Sequence, residues 1–205
     1  MLLRQCWAMS TEETLDFIDL DPWALLVCNG KETPLVTAIP LLLDRSRGKL
    51  GTLVGHIARA NPQASAINNG LRVLTLFQGP RAYVSPSWYP ARDMAPTMYH
   101  VMVEAEGDIS LQDQGTARRW IDLLTRRYET GRSEQWTMGE LPEDGIARRM
   151  TMIVGFEVAI TTLRGKAKLG QDEPRNDALS VASKLDASGM RGDQRLAAWI
   201  RKKNP

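Results

Sequence analysis

TMYHVMVEAEGDI, residues 97–109, decides the fold class. Tyr99, Val101, Val103 and Ala105 fall on one face of an extended chain, and His100, Glu104 and Glu106 on the other. Alternation with period two marks a half-buried strand, because successive side chains leave a pleated backbone on opposite faces. Outward from this stretch the pattern recurs. LRVLTLFQG (71–79) sets Leu71, Val73, Thr75 and Phe77 against Arg72, Leu74, Leu76 and Gln78. RAYVS (81–85) reads as a further short strand, and IVGFEVAITTLRG (153–165) turns Val154, Phe156, Val158 and Ile160 inward. WALLVC (23–28), TPLVTAIPLLL (33–43) and LGTLVG (50–55) are apolar runs of strand length. Asn29-Gly30-Lys31 is a hairpin signal, and Pro40 marks an edge position or a bulge. Five or more strands at short spacing, with few helices between them, predict an antiparallel barrel or sandwich.

Helical signals frame this β core. STEETLDFIDLDP (10–22) predicts a helix capped by Ser10 or Thr11, with Leu15, Phe17, Ile18 and Leu20 on its apolar side. GTARRWIDLLTRRYE (115–129) is the clearest amphipathic helix, with a stripe of Ala117, Trp120, Ile121, Leu124 and Tyr128. Segments 59–70 and 143–150 read as short helices, and 176–203 as one or two more. SPSWYPARDMAP (85–96) holds three prolines and reads as a loop.

Composition narrows the function classes. A chain of 205 residues with 43% hydrophobic and 24% charged residues fits a soluble globular protein with a real core. The formal net charge of +2 gives no basic field, so direct nucleic-acid binding is not expected. Cys6 and Cys28 cannot build a disulfide framework or a metal quartet. The N-terminal stretch turns acidic too soon for a signal peptide, and no apolar run approaches the roughly 20 residues that span a bilayer. The expectation is a reduced, cytoplasmic protein with no membrane association. Ser85 and Ser87 do not stand in a G-x-S-x-G elbow, and no H-E-x-x-H, G-x-G-x-x-G or Walker loop is present, which argues against a hydrolase or metalloenzyme.

Three stretches could carry chemistry. GHIARANPQ (55–63) puts His56, Arg59 and Asn61 where a strand is expected to stop and a helix to start. Such a junction offers unpaired N–H groups and suits an anion; equally, Arg59 could be a surface residue and His56 could bond a backbone carbonyl. FQGPRAYVSPSWYP (77–90) gathers Tyr83, Trp88 and Tyr89 in a proline-stiffened loop that could wall a flat ligand, form a dimer interface, or plug a barrel end. KAKLGQ (166–171) offers two lysines after a strand.

GTLVGHIARANPQ, FQGPRAYVSPSWYP, APT and IVGFEVAITTLRGKAKLGQ stand in the order and spacing of the PaiB family, and the chain resembles that family from about Pro22 to about Ala198. The family groups FMN-binding split-barrel proteins described as negative transcriptional regulators. The resemblance implies a mainly β fold: one antiparallel split β-barrel domain over residues 1–205, with a barrel core of about 22–165 and a helical C-terminal tail of about 174–203. It implies a homodimer with FMN sites between subunits. It puts Arg59, with His56 and Asn61, near the flavin phosphate. It makes Ser85, Ser87, Trp88 and Tyr89 a wall of the flavin site, and carries over Lys168 and Gln171. An apolar excess at Leu41, Leu42, Leu43, Val101 and Val103 also speaks for pairing. Two motifs depart from the family. Pro-Thr-Trp-Asn-Tyr stands here as Pro96-Thr97-Met98-Tyr99-His100, and Lys-Trp-Lys-Leu-Ser-Gln-Asn as Lys166-Ala167-Lys168-Leu169-Gly170-Gln171-Asp172. Three readings therefore stand: a flavin or small-molecule sensor of PaiB type, a flavin-dependent oxidoreductase with no identifiable acid or base, and a dimer with a vestigial flavin site.

Overall fold

The structure, a computed structural model, describes residues 1–92 and 94–205. Position 93, inside the stretch read as a proline loop, lies outside the described residues. Seven strands form one antiparallel sheet: β1 (Trp23–Cys28), β2 (Leu35–Pro40), β3 (Leu42–Asp44), β4 (Thr52–Ala58), β5 (Arg72–Val84), β6 (Thr97–Leu111) and β7 (Ile153–Lys168), in the order β2-β1-β5-β6-β7-β4-β3. Five helices flank and follow it: α1 (Thr11–Leu20), α2 (Gln114–Glu129), α3 (Glu143–Met150), α4 (Arg175–Ala187) and α5 (Arg191–Lys203). The fold class is thus the one expected, a mainly β split barrel with C-terminal helices. Contacts group the chain into two compact units, one of Met1–Asp16, Gln78–Val103 and Arg164–Pro205, the other of Phe17–Phe77 and Glu104–Leu163.

In the second of these units, β1 pairs with β2 and β5, and β4 with β3 and β7. Val73, Phe77, Phe156 and Val158 are buried there, as the alternation predicted, and so are Ala24 and Leu26 of β1. Pro40 ends β2, an edge strand, where its missing N–H breaks no ladder. In the first unit, α4 buries Ala178, Val181 and Leu185, and α5 buries Leu196, Ala197 and Ile200. Tyr99 and Val101 of β6 are buried in the same unit.

Several local expectations are corrected. Asn29-Gly30 makes no tight turn: Cys28 pairs with Leu35, leaving a six-residue loop. Gly30 is needed there for close approach instead, since a Cβ would lie 2.3 Å from the Thr33 carbonyl oxygen. RAYVS is no separate strand, because β5 runs on through Gly79-Pro80. β1 pairs with β5 only as far as Phe77, so Pro80 costs no hydrogen bond on that side. β4 continues through His56 to Ala58, and segment 59–70 holds only a 3-10 turn at Pro62–Ser65. β7 extends through Lys166 and Lys168, where Ala8 bridges Lys166 and the Met9 N–H donates to the Gly165 carbonyl. The α2 stripe is mostly not buried: Ala117 is, while Tyr128 is exposed. Of the residues read as an apolar excess, Leu41, Val101 and Val103 are buried within the chain, while Leu42 and Leu43 are half-buried.

Candidate anion-binding site

Arg59 follows the last residue of β4, and the end of that strand aims it at the turn between α3 and β7. Its main-chain N–H donates to the Met152 carbonyl at 2.8 Å. Its side chain donates from Nε to the Thr151 carbonyl and from Nη2 to the Ile153 carbonyl, both at 2.8 Å. These bonds use the side-on edge of the guanidinium and fix its plane. The end-on edge, Nη1 with the second hydrogen of Nη2, has no partner among the described residues. That edge is a two-donor fork matched to a carboxylate or phosphate.

The guanidinium borders a pocket of about 170 Å³, lined also by Gln112, Gln114, Met150, Ile153 and Gly155. The Gln112 amide donates from Nε2 to Glu157 at 3.2 Å, and its Oε1 is buried without a partner. Glu157 brings no unbalanced negative charge. Arg47 grips it with bonds of 2.6 and 2.9 Å and holds its carboxyl below the usual range. The pocket thus keeps the positive character of Arg59.

His56 and Asn61 lie in the same unit and do different work. Asn61 accepts the Gln63 N–H at 2.9 Å and donates to the Thr37 hydroxyl at 3.1 Å, so its amide caps the 3-10 turn. His56 projects from β4 into a neighbouring cavity, where burial depresses its proton affinity and keeps the ring neutral. The 3-10 turn is a single short turn, so the helix dipole expected here is absent and Arg59 carries the positive charge alone.

The other six residues belong to the other unit. Ser85 accepts the Ser87 N–H at 3.2 Å, and the two hydroxyls lie 2.8 Å apart. The Trp88 carbonyl accepts from the Ser180 hydroxyl at 2.6 Å, and the Tyr89 and Tyr99 phenols meet at 3.2 Å. Gln171 donates to the Ala167 carbonyl and accepts the Leu169 N–H, closing the turn after β7. Lys168 donates to the Thr97 hydroxyl at 2.5 Å and, with Tyr89, Tyr99 and Trp7, borders a pocket of about 220 Å³. The sequence reading missed Trp7. Its ring lies 4.8 Å from the Arg4 guanidinium and 5.4 Å from the Lys168 ammonium, and its indole N–H donates to Asp172 at 3.1 Å. A lone tryptophan in the first ten residues is the available signal.

The two motif departures touch each other. Gly170 has φ +83°, and a Cβ there would lie 2.4 Å from the Tyr99 phenol oxygen. Tyr99 and Ala167 are both fully buried. The changes at 99, 167 and 170 therefore repack the interior of this unit.

Among the described residues no group of His, Cys, Asp and Glu could hold a metal, and no helix is long and apolar enough to cross a membrane. Residues 1–162 match the family model described as "Putative FMN-binding domain", and the chain belongs to that family, the PaiB family of the sequence motifs. It is 26% identical over 176 residues to protease synthase and sporulation protein PAI 2 of Bacillus subtilis, covering 86% of this chain and 84% of that protein. An uncharacterized protein of Aspergillus fumigatus is 29% identical over 210 residues, covering 83% and 80%. Among solved structures, the FAD and heme binding protein of Mycobacterium smegmatis aligns with a TM-score of 0.59 at 19% identity, over 82% of this chain and 76% of that one. The flavocytochrome Anf3 of Azotobacter vinelandii aligns with a TM-score of 0.60 at 14% identity, over 82% and 73%.

Proposed function

We propose that this protein binds FMN as a homodimer and acts as a flavin or small-molecule sensor of PaiB type. One observation carries the reading: the Arg59 guanidinium is fixed by two carbonyls with its end-on fork directed to no protein partner. A pre-oriented fork loses little entropy on meeting a phosphate. Family membership and the flavin proteins among the structural neighbours support the choice of FMN. The pocket of about 170 Å³ suits a phosphate and not a whole flavin, so the ring needs another surface. A second copy can supply it. The case for pairing rests on Leu20, Trp23 and Val36, which are apolar and exposed.

Bound FMN supplies electron- or hydride-accepting chemistry; the protein's part is to hold and orient it. Arg59 would hold the phosphate, and Gln112 Oε1 is a buried acceptor for a donor group nearby. By resemblance, Ser85, Ser87, Trp88, Tyr89, Lys168 and Gln171 remain candidates for ring contacts. Any regulatory action would pass through a partner. On α2, Arg118 and Arg126 are paired with Glu143 and Asp122, which removes half of that helix's basic side from any nucleic-acid surface.

Titration of wild type, Arg59→Ala and Arg59→Lys with FMN and riboflavin tests the reading. Arg59→Ala should weaken FMN about ten- to a hundredfold, the value of one charge-assisted contact, and leave riboflavin nearly unchanged. Arg59→Lys should recover only part of the loss. Equal losses for both ligands would remove Arg59 from the phosphate. No binding of either ligand by wild type would favour the vestigial site.

A further inference from the structure

In the same unit as Arg59 lies a second cavity of about 190 Å³. Ile121 of α2, Trp136 and Met138 of the following segment, and Ile146 of α3 form its walls. Met138, Ile146 and Met150 belong to an apolar cluster with Ala117. Methionine walls adapt to a ligand's shape. Thr125, His56 and Arg149 break the apolar lining, and the last two carry the argument. The His56 imidazole makes no hydrogen bond to any described residue. Arg149 donates from Nη1 to the Gly145 carbonyl at 3.0 Å, is exposed, and has no carboxylate partner among the described residues. The cavity therefore offers apolar walls, a neutral imidazole and one cation without a counter-ion.

We propose that this cavity binds an aromatic monocarboxylate with a single ring, the ring against Trp136, Met138 and Ile146, the carboxylate on Arg149, and a polar edge on His56. Size limits the ligand. An apolar cavity of about 150 Å³ holds benzene, so this one admits one ring with a short acidic arm and excludes a tricyclic flavin. A phosphate fits this cavity less well than the Arg59 pocket, because the mostly apolar walls would strip water from a doubly charged group. Met150 and Ile153 line both this cavity and the Arg59 pocket. Occupancy would thus press on the turn that orients Arg59. Binding of the acid stands on its own; only this coupling rests on the FMN reading.

Calorimetric titration with benzoate, phenylacetate and neutral benzyl alcohol tests the site. Wild type should bind all three. Arg149→Met should weaken the two acids about tenfold or more and leave benzyl alcohol within about twofold. Ile146→Trp, which fills the cavity, should abolish all three while circular dichroism reports a native fold. Should that variant not fold, Ile146→Ala enlarges the cavity instead and should shift preference toward naphthoate. Absence of acid binding to folded wild type, or binding indifferent to position 146, overturns the proposal. FMN titrated into Arg149→Met separates the two readings: unchanged FMN affinity with lost benzoate affinity supports two sites, and lost FMN affinity with retained benzoate affinity counts against both assignments.

Discussion

At the residue scale, Gly170 and Tyr99 are the most informative pair. A left-handed glycine faces a buried phenol with no room for a Cβ. Gly170→Ala should cost roughly 2–4 kcal/mol, combining backbone strain with overpacking. In a Tyr99→Phe background the cost should fall by about 1 kcal/mol, because the nearest atom is gone. Urea unfolding of the four proteins measures this coupling, and equal costs in both backgrounds would show that the two positions do not share the space. The histidines give a second prediction. Burial depresses His56 below the ordinary 6.5, and burial followed by the Lys166 charge does the same to His100. The unfolded chain then binds these protons more tightly. Stability is complete above about pH 6.5 and falls as pH drops below it toward the depressed folded values. Unfolding midpoints between pH 7.5 and 5.5 should show that slope, and His56→Gln should flatten it. An unchanged slope would mean that His56 protonates as freely folded as unfolded.

At the element scale, α2 meets β7 through a glycine. A Cβ on Gly155 would lie 2.5 Å from the Ala117 Cβ, so the helix rests directly on the strand backbone. Gly155→Val should destabilise by about 1–3 kcal/mol and loosen the helix that walls the second cavity. Thermal unfolding with hydrogen exchange in α2 checks both effects; an unshifted midpoint would show that the helix rides free of the strand. The N-terminus of α1 was legible as a cap, and the structure selects Ser10. Its hydroxyl accepts the Glu13 N–H at 3.1 Å while Glu13 accepts the Ser10 N–H at 3.0 Å. That reciprocity is local in sequence and so can be read from it. The Asn-Gly turn was equally local, yet the loop formed otherwise, because the pairing of Cys28 with Leu35 sets its length.

At the scale of the whole molecule, one unit joins the two ends of the chain to the internal segment Gln78–Val103. Lys203 bonds the Glu13 carboxylate at 2.6 and 2.8 Å and holds its pKa below the usual 4.5. Asn204 donates to the Leu169 carbonyl at 3.0 Å, and Ile200 is fully buried. Deleting residues 200–205 should therefore cost about 3–5 kcal/mol, chiefly through the lost isoleucine. Lys203→Met should remove a contribution present above about pH 4.5 and lost as pH falls through the lowered Glu13 value. Denaturation across a falling pH series from pH 7 distinguishes the two, since the variant's deficit should shrink as Glu13 protonates while the deletion's loss of Ile200 persists. Sedimentation at micromolar concentration tests the homodimer, and a monomer across a broad concentration range would sink it together with a shared flavin site.

The sequence by itself determined the strands, the main helices and the family, because period-two alternation, caps and motif spacing are properties of neighbouring residues. It also singled out Arg59. Only the tertiary structure decided what Arg59 holds, since Thr151 and Ile153 lie 92 and 94 residues away along the chain. The same limit hid Trp7, whose partner Asp172 is 165 residues distant. It also hid the reason for Gly170, which is the phenol of Tyr99 on β6. His56 and Arg149 come to one cavity for the same reason: packing brings together groups whose separation in sequence carries no period to read.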